Sequence, residues 1–258
     1  MIVMGSRRRM RALLAFGGAV VVALGVGGCG GADVEGAPVE EKAFAFSGDV
    51  LTIDAHDSEL EIVPADIQDV RVARQVDGWV FMGEGPDAVW GLEGGRLTLR
   101  VECDAVASDC DSVHRIQVPR GVAVTVEDDN GKVTADGFDT ALTIRSDNGA
   151  VVVRNASGPL DLTSENGEVV VAGGTTSGQV VARADNGAVR LSLSAVPRRV
   201  EAVSDNGEID IALPRASYDI DGRSDNGEVR IDVPTLKGSA HVVTARSDNG
   251  EVVVRNAN

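Results

Sequence analysis

Carboxylates recur through the second half of this 258-residue chain at a spacing that could gather cations. Asp129, Asp147, Glu165, Asp185, Asp205, Asp225 and Asp248 each open an acidic-Asn-Gly triplet, and Glu168, Glu208, Glu228 and Glu251 stand beside the same turns. Were these triplets stacked, carboxylates ~4.8 Å apart would repel unless neutralised, and Ca²⁺ takes about 6–8 oxygens of this kind. Two features argue instead for a solvated, salt-bridged face. Arg145, Arg183, Arg223 and Arg246 stand two residues before four of the acids, and the motif lacks the G-G-x-G-x-D nonapeptide of calcium-stacking repeats. No metal site and no cofactor are assigned.

Other chemistry is thinly represented. His56, His114 and His241 are scattered, and no Ser/His/Asp or Cys/His grouping emerges. A polysaccharide-cleaving groove needs paired carboxylates and usually aromatic platforms, but the triplet region holds only Phe138 and Tyr218. The acids recur identically from copy to copy, as in a scaffold. No catalytic residue is assigned, and a non-enzyme is expected.

The three cysteines divide into two kinds. Cys103 and Cys110 read as one disulfide closing a short loop in an oxidising compartment. Six intervening residues, with only His114 nearby, make a poor zinc site. Cys29 follows Val26-Gly27-Gly28, which resembles the lipobox of bacterial lipoproteins, in which the thiol accepts a diacylglyceryl group. Before it come Arg7, Arg8, Arg9 and Arg11, then the apolar stretch Ala12 to Val26, too short for the about 20 residues that span a bilayer. Residues 1–28 therefore read as a lipoprotein signal peptide and residues 29–42 as the lipidated cysteine with a flexible tether. Two or more acyl chains anchor stably where one does not. Ser6-Arg7-Arg8 leaves Sec and twin-arginine export both open.

Removing residues 1–28 takes Lys+Arg from 24 to 20 against 40 Asp+Glu, and the net charge from −16 to −20. Such a chain is repelled by nucleic acid and by anionic lipid. The expected partners are a membrane, through the lipid anchor alone, and an unidentified envelope or surface macromolecule; oligomeric state is left open. The expected location is the extracytoplasmic face of the cell membrane.

The elements that carry these residues are read from the repeat. The triplet glycines, Gly131 to Gly250, step by 18, 18, 20, 20, 20 and 23 residues. Each triplet lies between alternating runs, such as Leu142-x-Ile144 before and Val151-x-Val153 after, the period of half-buried strands. Asn-Gly is expected to supply positive φ angles for tight turns. The residue before each acid is small in six of seven copies (Ser146, Ser164, Ala184, Ser204, Ser224, Ser247), Asp128 being the exception. Uniform columns suggest identical residues lying above one another, with the asparagines forming a hydrogen-bonded ladder. The expected fold is all-β, a β-solenoid of ~18–23-residue coils; a β-sandwich or hairpin meander is the alternative. Residues 127–258 would be seven repeats. Residues 43–126 would begin the same body as degenerate coils, with Leu51-x-Ile53, Leu60-x-Ile62 and Val70-x-Val72 as their strands. Trp79, Phe81, Trp90 and the cysteine loop would decorate that section and cap one end, leaving the C-terminal coil uncapped at the other.

The S-D-N-G-x-V-x-V units, with Val118-Pro119-Arg120-Gly121 before them, resemble the DUF4097 β-strand-repeat family of bacterial envelope proteins, whose name carries an adhesin label. The resemblance covers roughly residues 49–258. It implies a solenoid-like domain at the cell envelope, in adhesion or envelope-stress sensing, and brings no catalytic residues.

Overall fold

The computed structural model describes residues 34–257. The signal segment and Cys29 lie outside the described residues. Among those described, nineteen strands and one short 3-10 turn make an all-β body.

Most strands come in pairs, one before a corner and one after. The pairs are β2 (Val50–His56) with β3 (Glu59–Ala65), β6 (Ala123–Asp128) with β7 (Val133–Asp136), and β8 (Leu142–Ser146) with β9 (Val151–Arg154). Next come β10 (Leu160–Ser164) with β11 (Val169–Ala172), β12 (Gln179–Ala184) with β13 (Val189–Ser192), and β14 (Arg199–Ser204) with β15 (Ile209–Leu213). The last are β16 (Asp219–Ser224) with β17 (Val229–Asp232) and β18 (Val242–Ser247) with β19 (Val252–Asn256). From β6 onward, first members pair only in parallel with first members of other layers, and second members likewise, which excludes a hairpin meander within the repeats. The result is two long parallel sheets around one solenoid-like core.

Alternation explains the layering. In β8, Leu142, Ile144 and Ser146 turn inward and are buried, while Thr143 and Arg145 face out. Parallel register then sets like above like: Leu51, Val124, Leu142, Leu160, Val180, Val200 and Val243 form one buried column. Opposite runs Leu60, Val133, Val151, Val169, Val189, Ile209 and Val252. Each fully buried aliphatic contributes about 1.5–3 kcal/mol.

The two ends differ from expectation. After β17 the chain doubles back through residues 233–241 and inserts β18 between β14 and β16, and β19 between β15 and β17. The C-terminal pair is therefore interior, and β16 with β17 forms the outermost layer. The inward residues agree with this order. Val243, Ala245, Val252 and Val254 are buried, whereas Val229 and Ile231 are exposed and Gly222 stands at an inward position of β16.

At the other end, β4 (Val70–Glu93) and β5 (Arg96–Pro119) form a long antiparallel hairpin around Gly94-Gly95. The first residues of β5 lie along β2 and its last along β3. β1 (Glu40–Phe44) pairs antiparallel with the start of β4, so the segment read as tether already becomes strand at Glu40. Val70 and Val72 thus belong to an antiparallel cap rather than to an early coil. Period-two alternation is the same in either setting, whereas Leu51, Ile53, Leu60 and Ile62 do lie in layers parallel to the repeats.

Candidate functional site

The acidic-Asn-Gly corners stack on one edge of the body. Each asparagine Nδ2 donates to the Oδ1 of the asparagine in the adjoining layer at 2.9–3.0 Å, linking Asn130, Asn148, Asn166, Asn186, Asn206, Asn249 and Asn226 in that order. Asp57 starts the ladder, accepting from Asn130 at 2.8 Å. Behind it, the Oγ of Ser164, Ser204, Ser247 and Ser224 donates to the glycine carbonyl of the adjoining corner at 2.7–3.0 Å. These serines are structural, with satisfied hydroxyls.

The corner glycines serve a purpose other than the expected one. Among the described corners only Gly131 has a positive φ, 133°. A Cβ on Gly149, Gly167, Gly187, Gly207, Gly250 or Gly227 would overlap the carbonyl oxygen of the glycine in the adjoining layer. Glycine is required by the closeness of the layers, not by the conformation of the turn.

The expected pairing of arginines with the corner acids is also corrected. Arg183 pairs with Asp161 at 3.5 Å and Glu201 at 2.7 Å, and Arg223 and Arg246 both pair with Asp221, at 2.8 and 3.0 Å. The partners lie on the outward strand faces, on the same strand for Arg223 with Asp221 and on a neighbouring strand for the others, rather than at the corners. Among the described residues Asp147, Glu165, Asp185, Asp205, Asp225 and Asp248 enter no ion pair, and no group of three or more His, Cys, Asp or Glu is arranged to hold a metal ion. The outward column Val152, Val170, Arg190, Asp210, Val253, Arg230 is partly tied by ion pairs: Arg190 with Glu168, and Asp210 with Arg255 at 2.9 Å.

Two buried ionisable groups stand apart. Asp128 takes the serine's place in the first corner, buried with neither carboxylate oxygen hydrogen-bonded. Burial first, then the charges of Asp129, Asp57 and Asp147, push its pKa up to about 7. His114, in β5, is fully buried with both ring nitrogens unpartnered, and burial aided by Arg74 lowers its pKa to about 4. The histidines are not brought together. His56 pairs with Asp129 and Asp54 at the first corner, and His241 Nδ1 lies 2.8 Å from the Pro197 carbonyl near the far end.

The cap presents the other candidate surface. Midway along β4 and β5 the hairpin bulges into an ear. There Cys103 and Cys110 form a disulfide with their Cα atoms 6.7 Å apart. Gly78 lies against it, since a Cβ there would come within 2.8 Å of the Cys110 Cα and Sγ. On the ear Trp79, Phe81, Met82 and Val106 are 48%, 59%, 75% and 79% exposed. Trp90, by contrast, is packed at the cap's base, with the Arg74 guanidinium 4.0 Å over its ring and Phe44 edge-on. An open groove of about 730 Å³ lies beside the ear, lined by Asp57, Glu59, Gln75, Asp111, Arg115 and Lys132 among others. Sequence reasoning placed Trp79 and Phe81 in a decorated section but missed their exposure. The signal was their position in a stretch, residues 76–95, without any Lys or Arg.

A family model, Toastrack DUF4097, matches residues 47–256, which spans cap, corners and open end alike. The chain belongs to this Toastrack family. Its fold is similar to that of a Bacteroides fragilis protein described as a "putative adhesin", at 14% identity over 85% of this chain and 97% of the other, with a TM-score of 0.51. A Parabacteroides distasonis protein of the same description is similar at 11% identity over 84% and 98%, with a TM-score of 0.50. No curated protein matches the chain.

Proposed function

We propose that this Toastrack protein is a non-catalytic recognition module, anchored through a lipidated Cys29 to the outer face of a bacterial membrane, acting in adhesion or envelope sensing. Its repeating unit is a coil of 18–23 residues closed at an Asp-Asn-Gly corner, which makes a stiff body for displaying contact surfaces. The observation that carries the reading is the ear. Trp79, Phe81 and Met82 stay exposed on a disulfide-braced ribbon while the core is filled mainly by aliphatics, with Phe138 and Tyr218 buried among them. Exposed aromatics on a braced scaffold are the residues that anchor interfaces, because they contribute large contact area at low conformational cost. The adhesin names borne by the fold relatives point the same way, and the lipobox-like Val26 to Cys29 supports the anchor.

The test replaces Trp79, Phe81 and Met82 together by serine and measures binding of the full chain to isolated bacterial envelopes. Cys29→Ser is followed in parallel by membrane fractionation. The expected outcome is loss of envelope binding at an unchanged melting temperature for the ear variant, and release from the membrane for Cys29→Ser. Wild-type binding by the ear variant would move recognition elsewhere; retention of Cys29→Ser on the membrane would remove the anchor.

A further inference from the structure

The open end carries a strand edge whose chemistry complements itself. β17 is exposed at all four positions, whereas β16 beside it is half-covered. Just ahead of β16 the returning segment lies on the edge: the Tyr218 amide donates to the Pro234 carbonyl at 3.0 Å, and the Leu236 amide to the Tyr218 carbonyl at 2.8 Å. Nothing comparable lies over β17 among the described residues, since its one strand partner is β19. The Val252 amide donates to the Glu228 carbonyl, so the backbone groups of Glu228 and Arg230 face β19. Those of Val229 and Ile231, alternating with them, face outward.

We infer that β17 pairs antiparallel with β17 of a second copy of this chain, about a two-fold axis at Ile231. That register makes Ile231 a hydrogen-bonded pair with its own counterpart, so its outward-facing backbone groups meet, and sets Val229 opposite Val233, the residue at which the chain leaves β17. It also sets Arg230 of each copy opposite Asp232 of the other, twice per interface. Opposite charges directly across strands are favourable and like charges unfavourable. The partly exposed core residues Val229 and Ile231 would be covered by their counterparts, continuing the hydrophobic columns from one copy into the next. Edge charges ordinarily discourage such pairing; here the two charges on the edge are of opposite sign and one position apart from the axis on either side. Arg230 is free to turn, because its present partners, Glu251 at 3.3 Å and Glu228 at 3.8 Å, are loose contacts of an exposed side chain. A two-fold pairing is closed, and the opposite end is occupied by β4 and β1, so the assembly stops at two. The two caps then lie at opposite extremes of the dimer.

The experiment is sedimentation of the full chain in density-matched detergent across a concentration series, with melting curves to verify folding. The wild type is expected to pass from monomer to dimer. Arg230→Asp and Asp232→Arg each place like charges across the axis and are expected to weaken the dimer at least about tenfold. An equimolar mixture of the two variants restores both opposite-charge pairs and is expected to recover the dimer, as is the double exchange Arg230→Asp/Asp232→Arg. A wild type that stays monomeric throughout would overturn the inference and leave the edge to a foreign strand. Single variants that dimerise as well as the wild type, folded, would overturn the Ile231 register.

Discussion

The two ends of the body are built on opposite terms. At one, β5 lies across both sheets as a first layer, and β4 and β1 close over it, with Phe44, Trp90 and Arg74 packed together. At the other, the stack simply stops at β16 and β17, with Val229 and Ile231 showing to solvent. The contrast teaches that one repeating grammar supports very different local stabilities, depending on how many neighbours a layer has. An interior layer is paired above and below. The last layer has one partner and its apolar columns are half-covered.

Ile211 and Ile231 are inward residues of the same sheet, separated by Val254, but Ile211 is fully buried and Ile231 is 37% exposed. Ile211→Ala should cost about 3–4 kcal/mol and Ile231→Ala about 1 kcal/mol or less by denaturant unfolding at low protein concentration. Equal costs would mean that the outer layer is as well packed as the inner ones.

A smaller effect separates the first corner from the later ones. Asp128 stands where serine stands in most layers, and its pKa is raised to about 7. The folded protein therefore holds a proton that the unfolded chain releases near the ordinary carboxylate value. Stability from this group is present at low pH and is lost as pH rises from about 4 through 7. Asp128→Ser, which restores the serine column, is expected to gain roughly 3 kcal/mol at pH 8 and little at pH 4. His114 works in the opposite sense. With its pKa lowered to about 4, it costs stability as pH falls below 6.5 toward 4, so the Asp128 comparison is best made between variants at each pH rather than along one curve. A gain for Asp128→Ser that is flat with pH would show that the carboxylate is not protonated in the fold.

Much of the repeat was legible because stacking forces identical residues into identical places. The asparagine ladder and the small residue behind it follow from that alone, and so does the oddity of Asp128. The role of glycine was misread, since the local turn pattern Asn-Gly is the same whether the glycine supplies a positive φ or makes room for the next layer's carbonyl. The exchange of the last two layers was hidden for a similar reason: Ser224-Asp225-Asn226-Gly227 and Ser247-Asp248-Asn249-Gly250 are locally alike. Two signals were present. The glycine spacing lengthens to 23 between them, enough chain to step back a layer, and Val252-Val253-Val254 is more apolar than Val229-Arg230-Ile231. The cap was harder, because an antiparallel edge strand such as the Val70–Val72 region alternates just as a coil does.

The central claim is that the body runs from a closed cap to an open layer made of β16 and β17, with β18 and β19 held inside. Native-state amide hydrogen exchange, read strand by strand, tests it most directly, since protection follows how many layers must open. Slow exchange is expected at Val242, Thr244 and Val253, whose amides face β14 and β15, and fast exchange at Ile220, Val229 and Ile231, whose amides face outward, in the monomer. Fast exchange in β18 and β19, with β16 and β17 protected like β14 and β15, would contradict it and return the chain's last pair to the end of the stack.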